Sequence, residues 1–88
     1  MKKITIVLAD DHVLVRKGIR AMLESDSSLE VIGEADNGEQ AIDVVRKLKP
    51  DLLITDIRMP VLNGLEAVEK LCLLPETKTR SIILSMHD

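Results

Sequence analysis

The strongest constraint in this chain is an alternation: four short runs rich in Val, Ile and Leu, separated by three longer stretches with apolar residues at helical spacing. The first run, Ile4-Thr5-Ile6-Val7-Leu8, is continuous and rich in β-branched residues. Such a run reads as a strand buried on both faces, as in a parallel sheet. From Val13 to Glu24, Val15, Ile19, Met22 and Leu23 form an apolar helical stripe. Leu29 to Ala35 contains a second strand, Glu30 to Glu34, less apolar and expected at a sheet edge. Asn37 opens a second helix as N-cap, with Gln40 in capping-box position. Ala41, Ile42, Val45 and Leu48 give that helix its apolar face, Arg46, Lys47 and Lys49 suit the negative end of its dipole, and Pro50 stops it. Leu52 to Thr55 is a third strand ending at Asp56. A loop from Ile57 to Gly64 then leads into a helix from about Leu65 to Leu74, closed by Pro75. Ser81 to Leu84 is the fourth strand. The order β-α-β-α-β-α-β predicts a parallel α/β sheet with right-handed crossovers.

Composition narrows the function. With 88 residues the chain is one domain at most. A net charge of −3 leaves no basic footprint for nucleic acid and no polybasic membrane patch. Lys3 and Asp10 are separated by only six residues, too few for a signal segment, and no apolar run reaches the length of a membrane span. Cys72 is the single cysteine, so no intrachain disulfide forms and a reducing cytoplasm is expected. Among leucines on a helix, Cys72 reads as a small buried hydrophobe. With no Trp, Tyr or Phe, the core must be built from Val, Ile, Leu, Met and Ala.

The chemistry lies in the acidic residues. Asp10 and Asp11 follow the first strand and Asp56 ends the third. In open α/β sheets the ligand crevice lies outside the carboxyl ends of the strands, where strand order reverses. If strands one and three are neighbours, three carboxylates converge there. Their mutual repulsion calls for a proton or a cation, and hard oxygen ligands with room for water suit Mg²⁺. Any one of these aspartates alone reads equally well as a loop or cap residue; three at two strand ends do not. Ser85 closes the fourth strand beside the same crevice, although a lone serine there is more often a turn former. Neither G-x-x-x-x-G-K-[ST] nor G-x-G-x-x-G occurs. His12 and His87 lack ligand spacing and read as solvent-facing.

Leu8-Ala9-Asp10-Asp11-His12, Leu53 to Pro60 with Asn63-Gly64, and Ile83 to Asp88 together resemble the receiver domains of two-component response regulators, most closely the LuxR/FixJ-type subfamily. The resemblance implies a flavodoxin-like (CheY-like) three-layer fold with strand order 2-1-3-4. It implies that Asp56 accepts a phosphoryl group from a sensor histidine kinase. Mg²⁺ would be held by Asp11 directly, by Asp10 through water, by Asp56 and by the backbone carbonyl of Arg58. Ser85 would be the switch hydroxyl that moves toward the phosphoryl group. Receivers continue with a further strand that carries a lysine, so residues 1–88 are expected to be the N-terminal part of a receiver. Its DNA-binding output domain would lie elsewhere in a transcriptional regulator. The fourth strand would then be an open edge, inviting homodimers or a domain swap. An inert fragment that self-associates is the alternative. A phosphatase or dehalogenase of the aspartate-nucleophile kind would need a second aspartate where Arg58 stands.

Overall fold

The computed structural model describes residues 3–56, 64–73 and 78–84. The elements in chain order are β1 (Ile4–Ala9), α1 (Val13–Glu24), β2 (Leu29–Ala35), α2 (Gly38–Leu48), β3 (Leu52–Asp56), α3 (Gly64–Cys72) and β4 (Arg80–Leu84). The strands form one sheet in the order β2-β1-β3-β4, and every pairing is parallel. This is the flavodoxin-like order, with β2 at one edge as its polar sequence predicts.

Alternation along the central strands sorts their side chains to two helical layers. Val7, Ala9 and Leu53 pack with Ala41 and Val45 of α2 on one face. Ile6, Leu8, Val31 and Ile54 pack with Ile19 and Leu23 of α1 on the other. The buried hydrophobic residues among those described are all Ile, Val, Leu and Ala, with no Met. Met22 is 70% exposed, against the expectation that it faces the core. Ion pairs draw the Arg16 and Arg20 flank of α1 over β2, and this rotation turns Met22 to the outer flank. Cys72 is also exposed rather than buried. Its neighbour Leu73 is 81% exposed as well, so an adjacent leucine did not signal a buried face. Leu74, the expected end of α3, lies outside the described residues.

Helix ends follow local chemistry. The Asn37 side chain accepts from the Gln40 backbone N–H at 2.9 Å, as the N-cap reading requires. The Gln40 side chain answers one residue earlier than expected, accepting from the N–H of Asp36 at 2.8 Å. At the other end Lys49 takes φ 51°, the left-handed cap that donates its N–H to the Val45 carbonyl before Pro50 ends the helix. Gly33 on β2 is needed for close approach: a Cβ there would lie 2.9 Å from both Leu48 Cδ1 and Val44 Cγ1 of α2.

Register places the site. β1 and β3 pair Leu8 with Ile54 and Ala9 with Thr55, so the next step of each strand sets Asp10 beside Asp56. At the opposite end of the sheet the Thr5 N–H and hydroxyl donate to Asp51 Oδ2 at 2.9 and 3.1 Å, tying the same two strands together.

Candidate functional site

Asp10 and Asp56 are 4% and 8% exposed at the carboxyl ends of β1 and β3, while Asp11 and His12 stand in solvent at the mouth. One ligand atom from each of these four residues lies within 4.8 Å of all the others. Sequence placed the three aspartates together, and the structure brings them together. Arg58 and Ser85, the other two expected site residues, lie outside the described residues.

The Asp10 carboxylate has two partners on the turn into α1. Its Oδ1 accepts the His12 backbone N–H at 2.8 Å, and the His12 ring Nδ1 lies 3.3 Å from the same oxygen. That Nδ1 is also 2.9 Å from Asp11 Oδ1. His12 is thus solvent-facing as expected for its ring, 65% exposed, but its inner nitrogen joins the acidic cluster. Adjacency to an acidic pair was the available signal.

The donor set decides what the site can hold. Three carboxylates at this spacing repel one another unless a cation or a proton intervenes. Their oxygen atoms suit a hard divalent ion such as Mg²⁺, so the residues fit that group. A carboxylate held at a strand end beside a cation site can also act as a nucleophile toward an electrophilic phosphorus.

Sequence reasoning missed Arg16. It sits beside the apolar stripe of α1, adjoining Val15, and its side chain is only 12% exposed. Nη1 donates to the Asp10 carbonyl at 2.6 Å, to the Ala35 carbonyl at 3.2 Å and to Asp36 Oδ1 at 2.6 Å; Nε donates to Glu34 Oε1 at 2.7 Å. Arg20 supplies a second cation to Glu34. Burial works against the Arg16 charge, but hydrogen bonds to Asp36 and Glu34 outweigh it and hold the guanidinium pKa above its ordinary value. Burial pushes the Glu34 carboxyl up, and Arg20 and Arg16 overcome it, leaving Glu34 below the usual carboxylate range.

A lowered folded-state pKa stabilises the protein above the unfolded value and ceases to do so as pH falls through the folded value. Wild type is therefore expected to exceed Glu34→Gln in urea midpoint at neutral pH. The gap should close as pH drops below the ordinary glutamate value of 4.5. A gap that is constant down to strong acid would contradict the pairing.

Comparison with known proteins agrees with this geometry. Residues 6–88 match the response regulator receiver domain family. The chain is 40% identical to the transcriptional regulatory protein DegU of Brevibacillus brevis over 98% of its own length and 36% of the relative's. It is 44% identical to a protein-glutamate methylesterase/protein-glutamine glutaminase of Pseudoalteromonas atlantica over 75% of this chain and 17% of that one. A two-component response regulator of the LuxR family from Aurantimonas sp. superposes with a TM-score of 0.90 at 30% identity, over 99% of this chain and 61% of that structure. The chain spans about a third of the length of the first curated relatives it matches.

Proposed function

This chain belongs to the response regulator receiver domain family, and on that premise we propose that Asp56 accepts a phosphoryl group from a partner sensor histidine kinase. The observation that carries the reading is the buried Asp56 carboxylate at the end of β3, with ligand atoms of Asp10 and Asp11 within 4.8 Å of its own. An Asp56 oxygen attacks phosphorus, the phosphorus–nitrogen bond of the kinase phosphohistidine breaks, and the bonding pair stays on the imidazole nitrogen. Asp10, Asp11 and Asp56 would hold Mg²⁺, with the Arg58 carbonyl as a further ligand. When bound, the ion offsets the negative charge that otherwise keeps carboxylate and phosphoryl group apart. The acyl phosphate formed on Asp56 brings added charge and strong acceptor oxygens, toward which the Ser85 hydroxyl would turn. Such chemistry makes the domain a switch rather than an enzyme acting on other substrates.

The parent protein is proposed to be a cytoplasmic transcriptional regulator that binds DNA through a separate output domain, in keeping with DegU-type relatives. Among the described residues no helix is long and apolar enough to cross a membrane. The test is incubation of the chain with Mg²⁺ and acetyl phosphate. Intact mass should rise by one phosphoryl group, and hydroxylamine should remove it.

A second reading rests on β4, which pairs only with β3 among the described strands and leaves Ile82 43% exposed. An open apolar edge invites strand addition. The 88-residue polypeptide is expected to self-associate through this edge, as a homodimer or a swap. A monomeric mass by light scattering at micromolar concentration contradicts that expectation. An inert, self-associated chain would show dimers and no phosphoryl adduct.

A further inference from the structure

We propose that Arg16 is a positioning residue for the metal-binding acidic pair. The inference rests on the reading of Asp10 and Asp11 as Mg²⁺ ligands. The Asp10 carbonyl belongs to the peptide unit that joins Asp10 to Asp11. Pinning its oxygen at 2.6 Å from Arg16 Nη1 fixes the rotation of that unit, and so the directions in which both carboxylates leave the backbone. The peptide unit before Asp10 is tethered as well, since the Asp10 N–H donates to the Ala35 carbonyl at 3.0 Å. Both sides of Asp10 are therefore anchored to the end of β2, one directly and one through the guanidinium.

Arginine is suited to this role because its planar fork reaches several acceptors at once in fixed geometry. Nη1 meets the carbonyls of Asp10 and Ala35 while Nε meets Glu34, and Asp36 completes the clamp. A lysine keeps the charge but offers one nitrogen. Charge and position thus predict opposite results. A nearby cation repels a metal ion, so an arginine that acted by charge alone would weaken Mg²⁺ binding, and its removal would tighten it. An arginine that positions the ligands strengthens binding, and lysine cannot replace it.

The test is a Mg²⁺ titration of the 88-residue chain, followed by the backbone amide shifts of Asp10 and Asp11. Arg16→Lys is expected to bind about tenfold more weakly, the scale seen when a partner that orients metal ligands is lost. Val45→Ala, a core truncation under α2, should lose stability yet keep the unaltered affinity. Glu34→Gln, which loosens the Nε anchor and leaves Arg16 in place, should weaken binding by less than Arg16→Lys. It serves as the reporter if Arg16→Lys does not fold. Affinity within twofold of the unaltered chain in the folded Arg16 variant, or unchanged affinity in Glu34→Gln when that variant must stand in, overturns the proposal. Absence of any Mg²⁺-induced shift in the unaltered chain overturns instead the metal reading beneath it.

Discussion

Asp56→Asn is expected to abolish phosphoryl transfer, leaving no adduct above background after incubation with Mg²⁺ and acetyl phosphate. The substitution removes the anionic oxygen proposed to attack phosphorus and replaces it with an amide of nearly the same shape. Asp56 is 8% exposed within a cluster of like charges, so losing one of them relieves repulsion. The variant should therefore fold at least as well as the parent, and intact secondary structure by circular dichroism would tie the lost adduct to chemistry. An adduct that persists at full yield would place the acceptor elsewhere.

Arg16→Ala is expected to have the largest effect on stability, a loss of about 3 kcal/mol in urea unfolding. Removing one partner from a buried ion pair typically costs roughly 3–5 kcal/mol, because the remaining charge and carbonyls lose their compensation. Asp36 is 61% exposed on its side chain and recovers water readily, which puts the expected loss at the lower end. Glu34 at 26% and the Ala35 and Asp10 carbonyls recover less. Against a total of roughly 4–13 kcal/mol for a domain of this size, such a loss takes a large share of the stability. A loss below about 0.5 kcal/mol, the range of ordinary surface substitutions, would show that the clamp is solvated in solution.

Much of this molecule was legible in the sequence. The continuous run Ile4 to Leu8 announced a strand covered on both faces, and Ile6 to Ala9 are all buried. Asn37 announced an N-cap, and its side chain makes the expected bond. The convergence of Asp10, Asp11 and Asp56 followed from the adjacency of strands one and three, which the alternation made plausible and the pairing of Ala9 with Thr55 realises. Other features depend on how elements rotate against one another, which local pattern does not encode. Met22 obeys helical spacing yet faces solvent because ion pairs at Glu34 turn α1 toward β2. Cys72 has leucine neighbours, but a neighbour in sequence need not share a buried face. Arg16 was overlooked because an arginine in an amphipathic helix ordinarily belongs to its solvated side. Only the path of β2 past the start of α1 shows three of its acceptors, Glu34, Ala35 and Asp36, gathered around it.

Borohydride trapping shows directly whether the phosphoryl group resides on Asp56, as proposed. An acyl phosphate on an aspartate is reduced by borohydride to homoserine, which marks the residue permanently. After treatment with Mg²⁺ and acetyl phosphate, then borohydride and proteolysis, homoserine is predicted at position 56 and nowhere else in the peptide map. Homoserine at position 10 or 11, or a phosphorylated chain with no homoserine at all, would show that Asp56 is not the acceptor.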